Sequence, residues 1–305
     1  MATLSTSALD VSQSARPFSL QSALLDYWAL TKPEVNFLIV IATFTGFYFG
    51  YPRELHNFPW GRVLNTLFGT LLVASGTGTL NQYLEYRFDA QMRRTRRRPV
   101  AAGRVRPAAA ACFGVLLSLI GGVYLLVAVN PLASALALFT LTTYLLVYTP
   151  LKRKTPLCTL VGAFPGAMPP LIGWAAASGS ITSGKAWTLY ALLFLWQFPH
   201  FMAIAWMYRE DYARAGYCVL PANHEQVFLG WVTAISSIAL FGLAAVPEIE
   251  HGTFQYSGAL VLTSVLLFYS VKLPVLRSRI AARQLLTATI IYLPLEFLLL
   301  VVGKG

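Results

Sequence analysis

Apolar runs about as long as a bilayer's hydrocarbon core is thick follow one another almost end to end in this chain. A helix crossing about 30 Å of hydrocarbon needs roughly 20 mainly apolar residues. Nine such runs can be read, at residues 35 to 51, 61 to 83, 108 to 129, 132 to 149, 157 to 178, 186 to 207, 226 to 247, 255 to 271 and 284 to 302. They are too long and too rich in Leu, Ala and Phe for barrel strands, which alternate over about ten residues. The expected fold is all-α, a polytopic membrane protein with a bundle of nine transmembrane helices. A mean hydropathy of +0.60, with 56% hydrophobic and 11% charged residues, excludes an ordinary water-soluble globule. Residues 1–24 are expected to form a flexible cytoplasmic tail and residues 25–305 a single intramembrane domain.

The net charge of +11 invites a nucleic-acid reading until the charges are placed. Nineteen of the 23 Lys and Arg fall on alternate connections. These are the approach to the first span (Arg16, Lys32), the segment after the second (eight arginines from Arg87 to Arg106), and those after the fourth (Lys152, Arg153, Lys154), sixth (Arg209, Arg214) and eighth (Lys272, Arg277, Arg279, Arg283). Only Arg53, Arg62, Lys185 and Lys304 fall on the other side. By the positive-inside rule the amino terminus is cytoplasmic and the carboxyl terminus lies on the opposite side. Much of the basic excess is therefore topological, and nucleic acid is not expected as a partner; membrane lipid is.

Cys112, Cys158 and Cys218 lack the CxxC spacing of metal or redox sites and read as structural. The first 24 residues hold one Arg and no continuous apolar core, which argues against a secretory signal and places a bacterial inner membrane ahead of a mitochondrial one.

Polar groups inside a membrane span are costly and mark cavities or partners. Here they gather at the inner ends of the second, fourth and sixth spans. In "NQYLEYRFD", Asn81, Glu85 and Asp89 recur every four residues. Each step of four advances only about 40° beyond a full turn, so the three side chains share one helix face. Oxygen donors in a row suit Mg²⁺, which takes one or two carboxylates and completes its shell with substrate phosphates. Arg94, Arg97 and Arg98 follow, and guanidinium groups recognise phosphate at two points. The competing reading makes Glu85 and Asp89 surface ion-pair partners of Arg87, Arg93 or Arg97, with the arginines anchoring anionic lipid.

The connection "YTPLKRKTP" adds Lys152, Arg153 and Lys154 on the same side. The fifth span, "VGAFPGAMPPLIGWAA", is dense in helix breakers, tolerated in a membrane only where protein or a cavity satisfies the freed backbone. In the sixth, Gln197, His200, Tyr208 and Asp211 read as one polar stripe, with Glu210 beside it. An intramembrane His is often only a bonded structural group. Two acidic helix ends joined by basic loops, with an apolar bundle behind, describe a site for an isoprenyl diphosphate bridged by metal.

Asn81-x3-Glu85-x3-Asp89 followed by Arg94-Thr95 and Arg98-Pro99 resembles the first aspartate-rich motif of the UbiA superfamily of intramembrane prenyltransferases. "LTKPEVNF", "GAFPGAMPPLIGW", "WQFPHF" and "YREDYARAGYCVLP" extend the likeness over most of the chain and resemble its haem-farnesylating branch. Gln82 and Glu85 in the first motif, and Tyr208 and Tyr212 around Glu210 and Asp211 in the second, stand where the superfamily usually has aspartates, as that branch does.

The resemblance implies that Asn81, Glu85 and Asp89 serve Mg²⁺ and diphosphate, Glu210 and Asp211 a second metal position, and Arg94, Arg98, Lys152 and Arg153 the phosphates. It implies farnesyl diphosphate and haem B as substrates, with Mg²⁺ as cofactor, haem O as product, and a haem A synthase or terminal-oxidase assembly as downstream partner. Tyr83, Phe88, Trp196 or Phe201 would offer aromatic faces to an allylic cation. Gln197, His200 and Tyr208 are the haem-binding candidates. An aromatic quinone precursor as acceptor and a membrane transporter are the alternatives; no inverted repeat supports the transporter. Glu296, within the ninth span, has no assigned role.

Overall fold

The computed structural model describes residues 19–52, 57–220, 225–244 and 253–303. Among them the chain forms α1 (Leu20–Leu30), α2 (Pro33–Gly50), α3 (Trp60–Asp89), α4 (Pro107–Ala128), α5 (Pro131–Thr143), a π-helical turn (Tyr144–Tyr148), α6 (Thr149–Leu151), α7 (Cys158–Gly166), α8 (Pro169–Ser178), α9 (Gly184–Met207), α10 (Arg209–Arg214), α11 (Glu225–Ala244), α12 (Thr253–Leu276) and α13 (Arg279–Gly303). Nine helical stretches among the described residues are long and apolar enough to cross a membrane: α2, α3, α4, Pro131–Leu151, Cys158–Ser178, α9, α11, α12 and α13. The protein is therefore a multi-pass helical membrane protein.

Local chemistry sets the helix starts. Proline opens α2, α4, α5 and α8 at a position where its missing N–H costs no hydrogen bond. Asn130 caps α5 by accepting the Ala133 N–H at 2.8 Å, and its amide reaches the Ala175 carbonyl, also at 2.8 Å. Packing between helices relies on small residues, as expected where apolar burial gives no drive against lipid. Gly46 of α2 faces the Pro170 carbonyl of α8, and Gly173 of α8 faces the Thr43 carbonyl, so a methyl at either position would collide with backbone. Gly76 on α3 and Gly114 on α4 make the equivalent close approach.

The fifth span is broken as its prolines foretell. Between α7 and α8 the Ala167 and Met168 N–H groups bond the Ala163 and Pro165 carbonyls at 3.0 and 3.3 Å, so the interruption leaves those donors satisfied.

Two differences from the sequence reading matter. First, the second span extends six residues past its expected end at 83, and α3 continues to Asp89. At 1.5 Å per residue its 30 residues measure about 45 Å. The helix outruns the apolar layer and delivers Asn81, Glu85 and Asp89 on a continuous α-helix beyond it. Second, the sixth span ends where it was expected to, so the polar stripe read from Gln197 on to Asp211 is not carried on one helix. The span ends at Met207, Tyr208 departs from helical geometry (φ −114°, ψ 21°), and α10 restarts at Arg209.

α1 begins at Leu20, inside the segment expected to be tail, while residues 1–18, including Arg16, lie outside the described residues, as do Arg53 and Lys304. It exposes Leu20, Leu24, Leu25 and Trp28, and its far end is tied to α3 where Gln82 donates to the Ala29 and Leu30 carbonyls, both at 3.2 Å.

Candidate active site

Asn81, Glu85, Thr149 and Lys152 meet at one end of the bundle because α3, the π-helical turn and the loop after α6 converge there. Glu85, 5% exposed, is saturated by neighbours. Lys152 Nζ donates to both of its oxygens at 2.7 and 2.9 Å, Tyr217 OH to Oε1 at 2.9 Å, and Asn81 Nδ2 to Oε2 at 2.8 Å. The oxygen of the Asn81 amide points the other way and accepts from Lys32 Nζ at 2.8 Å. Asp89, one turn on, accepts both of its bonds from Arg98 Nη1 at 3.0 and 2.8 Å, and its carbonyl takes the Thr95 hydroxyl at 2.9 Å.

Across the mouth, Asp211 Oδ2 accepts the backbone N–H of Arg94 at 3.3 Å, and Oδ1 accepts from Arg214 at 3.2 Å. The Arg94 guanidinium lies 5.1 Å from the Tyr208 ring centre and donates to Tyr212 OH at 3.3 Å. Arg153 lies over Phe88 at 4.5 Å, and Lys152 over Tyr148 at 4.7 Å. Such faces hold a cation in place without neutralising it.

Burial shapes the charges. Lys32 is pushed down to about 7, first by burial and then by Arg98 and Lys152. For Lys152 burial pulls the same way, but Glu85 and its hydrogen bond outweigh it, so the ammonium is held above its ordinary value. Burial and the Glu85 carboxylate keep the Tyr217 phenol protonated, fixing it as the donor.

The sequence candidates divide. Asn81, Glu85, Asp89, Arg94, Arg98, Lys152, Arg153, Tyr208 and Asp211 come together in this mouth. Glu210 is exposed at the start of α10. Gln197 and His200 belong elsewhere: Gln197 Nε2 donates to the Ala163 and Leu193 carbonyls at 3.0 and 3.3 Å, while His200 Nδ1 meets Thr289 Oγ1 on α13 at 2.9 Å and its ring stacks on Trp196. The two lie only about 60° apart around the helix, yet Gln197 bonds toward α7 and His200 toward α13. The break at Tyr208 then separates both from Asp211, and the single stripe is not formed.

Three participants went unassigned in the sequence: Lys32, Thr149 and Tyr217. Lys32 adopts the left-handed backbone conformation (φ 55°, ψ 62°) immediately before Pro33. That conformation costs a residue other than Gly on the order of 1–3 kcal/mol, and the "KP" step was the only signal for it. Tyr217 follows Gly216, whose φ of 70° turns the chain back after α10. The same loop is pinned by the Cys218 N–H bonding the Lys152 carbonyl at 2.7 Å.

The donors are hard oxygens throughout, and among the described residues no three His, Cys, Asp or Glu converge as a metal cage. This set fits Mg²⁺ held by one or two carboxylates and otherwise by phosphate oxygens. The surrounding Lys32, Arg94, Arg98, Lys152 and Arg153 suit the phosphates.

The chain matches the model of the UbiA prenyltransferase family over residues 39–300. It is 43% identical over 288 residues to a protoheme IX farnesyltransferase of Solibacter usitatus, covering 92% of this chain and 98% of that one. It is 37% identical over 279 residues to the mitochondrial protoheme IX farnesyltransferase of Homo sapiens, covering 90% of this chain and 61% of the human one. Among solved structures, a digeranylgeranylglyceryl phosphate synthase superposes with a TM-score of 0.70 at 16% identity, covering 92% of this chain and 98% of that one. A UbiA homologue from Archaeoglobus fulgidus bound to GPP and Mg²⁺ superposes with a TM-score of 0.60 at 14% identity, covering 90% of this chain and 99% of that one.

Proposed function

The chain belongs to the UbiA prenyltransferase family, and on that premise we propose that it transfers a farnesyl group from farnesyl diphosphate to a vinyl group of protohaem IX, with addition of water, giving haem O. The observation that carries the diphosphate half is the row of Asn81, Glu85 and Asp89 ringed by Lys32, Arg98 and Lys152. The haem half rests on the relatives, whose names specify that acceptor.

Arg94, Arg98, Lys152 and Arg153 bind and orient the diphosphate, their charges opposing the negative charge that grows on it as the allylic C–O bond breaks. Asn81, Glu85 and Asp89, with Asp211 opposite, would hold Mg²⁺, which supplies Lewis-acid stabilisation of the same charge. Phe88 and Tyr217, packed with ring centres 6.0 Å apart, present π density beside the cleft, where it favours a developing farnesyl cation. The vinyl carbon attacks that cation, a C–C bond forms, and water adds to the positive carbon left next to the porphyrin and loses a proton, leaving a hydroxyl group beside the released diphosphate. The Tyr83 side chain is half-buried on α3, and Trp196 donates to the Thr289 carbonyl at 2.8 Å, so Trp196 acts on the α13 side with His200.

Of the haem candidates, Gln197 has its amide hydrogens committed to backbone and Tyr208 stacks against Arg94. His200 uses Nδ1 on Thr289 and keeps Nε2, and we assign haem contact to it. A bacterial inner membrane with the arginine-rich end cytoplasmic, and delivery of product to a haem A synthase or terminal oxidase, complete the reading. The test is purified protein with haem B, farnesyl diphosphate and Mg²⁺, followed by mass analysis of the porphyrin. An increment of one farnesyl and one hydroxyl group is expected; unchanged haem from folded protein overturns the reading.

A further inference from the structure

Glu85 sits at the centre of the mouth with its hydrogen-bonding capacity filled by the protein itself. A carboxylate oxygen has two lone pairs. Oε1 accepts Lys152 and Tyr217, and Oε2 accepts Lys152 and Asn81. Asn81 has turned its amide oxygen to Lys32, and Asp89 holds Arg98 with both of its oxygens. A cation arriving alone meets no open oxygen on Glu85 and three basic side chains, Lys32, Lys152 and Arg98. A diphosphate arriving alone finds Lys152 and Arg98 already engaged by Glu85 and Asp89, and is left with Arg94 and Arg153, whose guanidiniums lie against aromatic rings. A cation and a diphosphate arriving together can each take one half of every pair.

We propose that Lys152 is a resident counter-ion of Glu85 that changes partner on binding, so that divalent cation and diphosphate bind as a linked pair. The inference rests on the diphosphate reading above and deepens it. The cation takes the oxygens of Glu85 while the Lys152 ammonium turns to phosphate; Arg98 and Asp89 separate in the same way. The movement is confined to the side chain, because the Lys152 backbone is fixed at both ends of its peptide units: its N–H bonds the Tyr148 carbonyl at 3.3 Å and its carbonyl accepts the Cys218 N–H at 2.7 Å. The rings of Tyr148 and Tyr217, 4.7 and 5.9 Å from Nζ, flank its path. Tyr217 stays on Glu85 as a positioning residue and keeps the carboxylate aimed as Lys152 leaves.

The experiment is titration of the purified protein with Mn²⁺, read by the loss of the free-ion paramagnetic resonance signal, with and without the unreactive farnesyl thiolodiphosphate. Wild type is expected to bind Mn²⁺ about ten- to hundredfold more tightly with the analogue, and the analogue more tightly by the same factor with Mn²⁺. In Lys152→Gln, Mn²⁺ alone binds more tightly than in wild type and the coupling factor collapses, whereas Lys152→Arg keeps the coupling. Equal Mn²⁺ affinity with and without analogue in wild type overturns the inference while leaving the diphosphate site in place. If Lys152→Gln folds and binds Mn²⁺ alone no better than wild type, the exchange role of Lys152 is overturned. Failure of the two ligands to bind even together overturns the diphosphate reading itself. The wild-type arms decide the coupling even if Lys152→Gln does not fold.

Discussion

Asp211 holds Arg94 by its main chain: the carboxylate accepts the Arg94 N–H at 3.3 Å and leaves the guanidinium to Tyr208 and Tyr212. The α10 acid and the arginine loop are thereby joined without consuming the arginine's charge. Position and charge can then be separated by mutation. Arg94→Gln keeps the backbone bond and the loop, and loses one charge-assisted contact, worth about 1.5–3 kcal/mol, or roughly 10- to 150-fold. The expected outcome is a rise of that order in KM for farnesyl diphosphate with an unchanged thermal midpoint; an unchanged KM would remove Arg94 from the phosphates.

Asp89 is 1% exposed and paired with Arg98. Asp89→Ala is expected to abolish turnover while the protein still inserts and purifies as a single species, checked by gel filtration and porphyrin mass analysis together. Near-normal turnover would return Asp89 to a purely structural ion-pair role.

Glu296 is 2% exposed on α13, and its Oε2 has no hydrogen-bond partner among the described residues. It lines a small cavity with Thr188, Leu192, Tyr292 and Leu300. An unsatisfied buried polar group costs about 1–3 kcal/mol, so Glu296→Met should raise the thermal midpoint in detergent and leave turnover within about twofold of wild type. A fall in midpoint would show that the carboxyl is bonded in the membrane.

Arg96 is exposed in the loop between α3 and α4. The proposed cytoplasmic placement of this loop predicts that Arg96→Cys in intact cells resists a membrane-impermeant maleimide and reacts after permeabilisation. Labelling of intact cells would invert the topology.

The spans were legible because bilayer thickness imposes a length that single runs of residues must satisfy, and the Asn81, Glu85, Asp89 face was legible because α3 is continuous from Trp60 to Asp89. The break after Gly166 was announced by its prolines. Lys32 and Tyr217 were not legible, since they reach Asn81 and Glu85, respectively, from irregular segments 49 and 132 residues away in sequence. No periodicity connects such positions. His200 misled for the opposite reason: its spacing from Gln197 and Asp211 was regular, but the helix carrying the pattern stops at Met207.

The π-helical turn at Tyr144–Tyr148 has a consequence for how this chain can change length. Such a turn carries one residue more than an α-helical one, closing here with the Thr149 N–H on the Tyr144 carbonyl. Everything after it is rotated by about 100° relative to an uninterrupted helix, and that rotation brings Thr149 to Asn81 and Lys152 to Glu85. Leu146 is 69% exposed. Deleting it would nonetheless swing Lys152 off its carboxylate, so a residue with no chemistry of its own is required simply by being counted. Insertions and deletions among functional relatives should therefore avoid the stretch from Tyr144 to Lys152, however freely its lipid-facing side chains are exchanged.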